Sequence, residues 1–320
     1  MMRSDYRCYF CFARHFENLI EKTSLSAEEK NHFAGELFGL FNTGENSFSV
    51  PHLSREVHLL FKKYSGNDDP YKLVKRQSND MVLSRYADLK KTVASSADPF
   101  VTALKLAIAG NIIDYGIPQH FDLDETIGKV LTSDFAIDHS KDLKQSLSEA
   151  KSVLYIGDNA GEIVFDKLFI ETIHHPDLWY AVRGAPIIND VTPEDANYVQ
   201  MNDVAHVIEN GYDAPSTMLS HCSEEFKDLF SRADIVISKG QGNLESLLHE
   251  SSKKIYFLLM VKCDVIADIL GVEKGQFVVA RNIFENENCH SQREGGHREN
   301  VCLDQSFLDG ATFRNADYAD

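Results

Sequence analysis

The sequence predicts an α/β protein, with a mostly parallel sheet carrying helices on both faces and an N-terminal half built of helices alone. Three observations carry that prediction. Apolar residues recur at three- and four-residue spacing over residues 1–145. From Lys151 onward, short apolar runs alternate with stretches of helical period. Those runs end in glycine, aspartate, asparagine or lysine, as loops at the carboxyl ends of strands do.

In the first half, FENLIEKTSL, AEEKNHFAGELFGLFN, LSREVHLLFKKYSG and YKLVKRQSNDMVLSRYADLKKTVA read as amphipathic helices. Ser54, following Pro51 and preceding Glu56, reads as a helix start, and Gly66-Asn67 as a stop. DPFVTALKLAIAGNIIDYG is a more apolar helix breaking at a glycine turn, and no strand is read before Lys151. Beyond it, SVLYIGD, DLWYAVRG, VAHVIENG, ADIVISKG, KIYFLLMVKC and GQFVVARN are strand candidates. Between them, Thr192 as N-cap, Pro193 at the first helical position and Asp195 in the first turn start a helix. The pattern is that of βαβ units with right-handed crossovers, a Rossmann-like sheet. The expected division is a helical domain at 1–145 that covers a cleft, an α/β domain at 146–284, and a polar tail at 285–320 without periodicity.

Composition narrows the function classes. A net charge of −17, from 32 basic and 49 acidic residues, argues against a nucleic-acid partner. No apolar run approaches the ~18 residues that span a bilayer. The N-terminus shows no signal-peptide pattern, so a soluble, cytoplasmic protein without a membrane partner is expected. Six cysteines scattered from Cys8 to Cys302 argue for reduced thiols rather than a disulfide framework. Cys8 and Cys11, with His15 on the same helix and Cys263 from the cleft, offer a possible second metal or redox site. Half-buried thiols are the simpler reading. Cys289, His290, His297 and Cys302 match no common zinc spacing, and a solvated tail is expected there.

The chemistry-bearing residues fall at successive strand ends. In GDNAGE (157–162), Asp158 and Asn159 sit at a strand-to-helix turn, where carboxylate and amide oxygens suit a hard divalent cation. The adjoining helix N-terminus suits an anion. Asp and Asn are equally good turn and cap residues. In RGAPIIND (183–190), Arg183 is placed to offer a planar fork to a phosphate, and Asp190 to supply a third oxygen ligand. In KGQGN (239–243), Gly240 and Gly242 let the backbone approach a ligand, Lys239 supplies charge, and Gln241 and Asn243 flank it. The loop fits neither the Walker nor the dinucleotide pattern. Lys262 ends the next strand, and NGYDAPST (210–217) is a further loop at the same edge.

Taken together, GDNAGE, RG…ND, KGQGN and Lys262 resemble the damage-control phosphatase family, which includes a protein first reported as an acidic-residue carboxyl methyltransferase. DPYKLVKRQSN (69–79) and GNIIDYG (110–116) extend the resemblance from Cys8 to about Asn282, and Cys8-Tyr-Phe-Cys11 resembles the archaeal and bacterial branch. The resemblance implies a helical domain on a Rossmann-like domain, and hydrolysis of phosphate monoesters of small metabolites, such as sugar phosphates or phosphorylated cofactors. It implies support by Mn²⁺, Co²⁺, Ni²⁺ or Mg²⁺. Residue by residue it makes Asp158, Asn159 and Asp190 the metal ligands. It places Glu162, the KGQGN loop and Lys262 at the substrate, with Asn111 and Asp114 closing the cleft. Gly161 and Glu162 are adjacent here, where the eukaryotic branch has one more residue between them, and MVKC (260–263) replaces that branch's Arg-Thr-x-Lys motif. Two other readings are an S-adenosylmethionine-dependent carboxyl methyltransferase and a non-enzymatic metal-dependent binding module.

Overall fold

The computed structural model describes residues 5–42, 49–110 and 123–282. Asn111 and Asp114, and the tail expected at 285–320, lie outside the described residues.

The helices of the first half are α1 (Tyr6–Glu21), α2 (Ala27–Phe41), α3 (Val50–Ser65), α4 (Lys72–Leu83), α5 (Tyr86–Ser95), α6 (Pro99–Ala109) and α7 (Leu123–Thr132). The start expected at Ser54 is corrected to Ser49, whose hydroxyl accepts from the His52 N–H and puts Pro51 in the first turn. The stop at Gly66 holds, because its φ of +63° closes the last turn in a left-handed conformation that glycine adopts without strain. α1, α2 and α3 bury their apolar faces on one another, with Phe16, Phe33, Leu53 and Phe61 interlocking. α5 and α6 instead pack on the sheet side, where the Phe100 and Phe169 rings meet tilted at 59° with centroids 5.5 Å apart.

The sheet comprises β1 (Phe135–Asp138), β2 (Val153–Ile156), β3 (Leu178–Val182), β4 (His206–Glu209), β5 (Ile235–Lys239), β6 (Ile255–Met260) and β7 (Phe277–Arg281) in the order β1-β7-β6-β5-β2-β3-β4. All pairs are parallel except β6 with β7. β1 corrects the expectation of no strand before Lys151. It is a four-residue edge strand whose partner β7 follows it by well over a hundred residues, so no local pattern announces it. Between and after the strands run α8 (Ser140–Glu149), α9 (Glu162–Ile173), α10 (Pro193–Tyr198), α11 (Glu224–Arg232), α12 (Gly240–Leu247) and α13 (Asp264–Leu270).

Alternate strand residues supply two cores. Tyr155, Tyr180, Ile237 and Leu258 face α6, α8 and α9, whereas Leu154, Ala181, Val236 and Phe257 face α11, α12 and α13. Burial on both faces explains why these strands read as continuous apolar runs. The helical cover also directs ligands to the strand ends, where backbone donors and polar loops are concentrated. Among the described residues no helix is long and apolar enough to cross a membrane.

Candidate metal and phosphate site

The central strand β2 delivers the first loop. Gly157 has no room for a side chain, since a Cβ there would lie 2.4 Å from the Tyr180 hydroxyl. Asp158, Asn159 and Ala160 then run antiparallel to 189–191. The Ala160 N–H donates to the Asn189 carbonyl and the Val191 N–H to the Asp158 carbonyl, both at 2.9 Å. Two sequence-distant loops are thereby zipped together, bringing Asp158, Asn159 and Asp190 side by side. All three are buried. Ile188, just ahead of them, has a φ of +46°. A β-branched residue there is strained, and such strain persists only where the surroundings enforce the turn.

The Asn159 amide nitrogen donates to Asp158 Oδ2 at 2.8 Å and to Glu162 Oε2 at 3.4 Å. Its carbonyl oxygen is therefore the atom left to act as a ligand. Burial, together with the charges of Glu162 and Asp190, pushes the Asp158 carboxyl well above the usual range, against the opposing charges of Lys262 and Arg183. A cation among these oxygens would relieve that crowding. Among the described residues no group of three or more His, Cys, Asp or Glu side chains is set to hold an ion. The donor set here is two carboxylates and one amide, the oxygen-only kind that a Mg²⁺-type ion completes with water. Gly240 adds a cradle: at φ +76°, a Cβ there would fall 1.9 Å from Asp158 Oδ2, so the start of α12 lies directly against that carboxylate.

Two residues expected at the phosphate turn their charged tips inward. The Arg183 fork is engaged within the protein. The guanidinium is 1 % exposed, and donates to Asp190 Oδ2 at 2.6 Å, Thr217 Oγ1 at 3.3 Å and Asn243 Oδ1 at 3.3 Å. Lys239 is likewise enclosed. Its ammonium donates to the Ala107 carbonyl at 2.8 Å, to Asp166 Oδ1 at 2.7 Å and to Glu162 Oε1. Glu162 itself is fully buried between Lys239 and Asn159 rather than open to the cleft.

The rest of the KGQGN loop ties neighbouring strand ends together. Asn243 Nδ2 donates to the Lys239 carbonyl at 2.7 Å and the Gly157 carbonyl at 3.3 Å. A Cβ on Gly242 would meet the Pro215 carbonyl at 2.3 Å, so NGYDAPST packs against α12. Gln241 accepts the Lys262 N–H at 3.2 Å and donates to Glu245 Oε1 at 3.1 Å and Cys263 Sγ at 3.3 Å. Lys262 is half-buried, and its charge reaches Asp158. Cys8 is half-buried and Cys11 exposed on α1, both free thiols, with burial pushing Cys8 up to about 11.

Several residues at the site were not singled out from sequence. Asp166 accepts from Lys239, from the Tyr155 hydroxyl at 2.6 Å and from the Tyr180 hydroxyl at 2.9 Å. A signal existed, since Asp166 stands four residues after Glu162 in a largely apolar helix and so shares its face. Asn79 and Lys75 lie in DPYKLVKRQSN and Thr217 in NGYDAPST, stretches noted in the sequence without an individual role for these residues.

The fold and site define a class: an α/β protein with a carboxylate and amide cluster at the C-terminal edge of its central strands. Its family follows from likeness. Residues 4–278 match the damage-control phosphatase ARMT1-like domain, and the chain belongs to that family. It is 34% identical over 291 residues to the damage-control phosphatase PH1575 of Pyrococcus horikoshii, covering 89% of this chain and 100% of that one. A damage-control phosphatase of Archaeoglobus fulgidus is 34% identical over 244 residues, covering 73% of this chain and 84% of its own. An uncharacterized protein of Methanocaldococcus jannaschii is 38% identical over 236 residues, covering 70% and 77%. The crystal structure of the Pyrococcus protein, described as a DUF89 family protein, superposes with a TM-score of 0.80 at 33% identity, covering 88% of this chain and 100% of that one.

Proposed function

We propose that this chain is a divalent-metal-dependent phosphatase acting on phosphate monoesters of small metabolites, such as sugar phosphates or phosphorylated cofactors. The observation that carries the reading is the zipping of 158–160 onto 189–191, which brings two carboxylates and an amide together beside the start of α12. Two relatives that are damage-control phosphatases support the hydrolase class.

In this reading Asp158, Asn159 and Asp190 hold the metal, of the Mn²⁺, Co²⁺, Ni²⁺ or Mg²⁺ type. When bound, such an ion supplies positive charge to the phosphate oxygens and lowers the pKa of its water. The protein's own residues do the rest. Arg183 holds the Asp190 carboxylate in place through Oδ2. Lys239 and Asp166 fix Glu162, which accepts the Asn159 amide and so turns the Asn159 carbonyl toward the ion. Lys262, half-buried with its charge reaching Asp158, is the cation assigned to the phosphate.

The test is phosphate release by purified protein, metal-free or with each of the four ions, on a panel of sugar phosphates and phosphorylated cofactors. Metal-dependent release that is lost in Asp158→Ala and Asp190→Ala supports the proposal. Absence of release with every metal, alongside calorimetric binding of S-adenosylmethionine, would favour the methyltransferase reading instead.

A further inference from the structure

One buried side chain of α4 bonds to the turn after Asn159 and to the helix start after Asp190. Asn79 has no solvent exposure. Its Oδ1 accepts the Gly161 N–H at 2.6 Å, and its Nδ2 donates to Asp195 Oδ1 at 3.2 Å. Asp195 Oδ2 in turn accepts the Thr192 N–H at 3.0 Å and the Thr192 hydroxyl at 2.7 Å. The same oxygen takes the buried Lys75 ammonium at 3.1 Å, and Lys75 also pairs with Asp69 at 3.4 Å. Gly161 stands two residues beyond Asn159, and Thr192 two residues beyond Asp190. One amide therefore links the two loops that carry the three metal-site residues, in addition to their backbone bridge.

We propose that Asn79 is a positioning residue that fixes the spacing of Asp158 and Asn159 relative to Asp190, with Lys75 and Asp195 holding it in register. The inference rests on the metal reading above. Two backbone hydrogen bonds join 158–160 to 189–191, and the Arg183 guanidinium pairs with Asp190 at 2.6 Å and with Asp158 at 3.8 Å. The Asn79 link closes these contacts into a frame, and a Mg²⁺- or Mn²⁺-type ion tolerates little departure from its octahedral spacing. α4 presses close on this turn. A Cβ on Gly161, at φ +80°, would lie 3.0 Å from the Ser78 Cβ, so only glycine lets the turn reach Asn79. Both ends of the Asn79 amide are used in opposite senses, acceptor to one loop and donor to the other, which no other small side chain reproduces.

The experiment is Mn²⁺ titration calorimetry on the full chain, with circular dichroism to establish folding and steady-state kinetics beside it. Asn79→Ala is expected to weaken Mn²⁺ binding at least tenfold and to lower kcat while KM stays within twofold. Asn79→Asp puts a second carboxylate against Asp195 and is expected to lose as much. Combining Asn79→Asp with Asp195→Asn reverses the direction of the bond at constant charge, and is expected to recover at least half of the loss on a logarithmic scale. Lys72→Ala removes only the exposed Lys72–Glu194 pair between α4 and α10, and should leave Mn²⁺ affinity within twofold. A folded Asn79→Ala with wild-type Mn²⁺ affinity overturns the proposal. If Asn79→Ala does not fold, the swap decides: recovery over Asn79→Asp supports the role, and equal loss overturns it. A wild-type chain that binds no divalent ion overturns the metal reading and this inference together, whereas an unaffected variant of a metal-binding wild type overturns this inference alone.

Discussion

Lys239 and Glu162 form an ion pair with no solvent exposure on either partner, directly beneath the turn that carries Asp158 and Asn159. A second carboxylate, Asp166, shares the same ammonium, and burial, partly offset by Lys239, pushes its carboxyl up to about 6. A buried ion pair is weak evidence for stability, because desolvation offsets its Coulombic attraction. Removing one partner is costly all the same, because it strands the other charge.

Lys239→Met is therefore expected to destabilise the fold by about 3–5 kcal/mol, read from the urea midpoint at constant slope. Adding Glu162→Gln and Asp166→Asn to that variant removes the stranded charges and should recover most of the loss. The triple variant should remain inactive, since Asn159 then loses the charged Glu162 acceptor and keeps only Asp158. Recovery of activity along with stability would show that the ion pair serves the fold and not the site.

Gly240→Ala separates the site from the fold in the other direction. The new methyl would have to displace the Asp158 carboxylate, and the φ of +76° is unfavourable for alanine. A stability loss of about 1–2 kcal/mol is expected from the backbone alone. Activity should fall far more, by about a hundredfold, because a displacement on the order of 1 Å at a reacting centre costs that much. Kinetics and thermal melts on the same preparation check it. Loss of stability without a larger loss of activity would remove Gly240 from the site.

How much of this was legible in the sequence depends on the kind of question. The strand ends and their loops were legible, because each apolar run stops at a polar or glycine turn and each turn stands next to its own strand. The cap at Thr192 was legible for the same local reason, and Asp195 accepts its N–H and its hydroxyl. Direction was not. Arg183 and Lys239 start from the expected strand ends, but their charged tips turn inward because acceptors on other elements, Asp190 and Asp166 among them, draw them there. Asn79 stood at the end of the noted stretch DPYKLVKRQSN, but its role was not legible because its partners lie 82 and 116 residues away. β1 was missed because an edge strand of four residues is specified by its neighbour and not by its own pattern.

Arg183→Lys tests the inward-turned guanidinium. A lysine keeps the charge but not the planar fork that holds Asp190, Thr217 and Asn243 at once. Losing charged hydrogen bonds of about 1.5–3 kcal/mol corresponds to roughly ten- to hundredfold weaker metal binding or slower turnover. Calorimetric Mn²⁺ binding and kcat should fall together. A rise in KM with unchanged kcat would instead mean that Arg183 reaches the substrate.

Glu245 gives the pH prediction. It lies on α12, almost fully enclosed, and burial pushes its carboxyl up from 4.5 to about 7, against the Gln241 amide that favours the ionised form. The folded pKa lies above the unfolded one, so between about pH 4.5 and 7 the folded chain binds the extra proton. Stability from this group is then full below 4.5 and is lost as pH rises toward 7. The whole span amounts to about 3 kcal/mol at ~1.4 kcal/mol per unit. Glu245→Gln keeps the shape, cannot ionise, and leaves the amide facing Gln241. Urea denaturation at pH 5 and pH 8 should show the substituted chain gaining on the wild type by up to about 3 kcal/mol at the higher pH, with little difference at the lower. A constant gap between the two at both pH values would mean that Glu245 does not titrate in this range. Gln241 donates to Glu245 and accepts the Lys262 N–H, so it couples Glu245 to the segment that carries the assigned phosphate cation. The wild-type KM for a phosphate monoester should therefore shift between pH 6 and 8 in a way that Glu245→Gln abolishes.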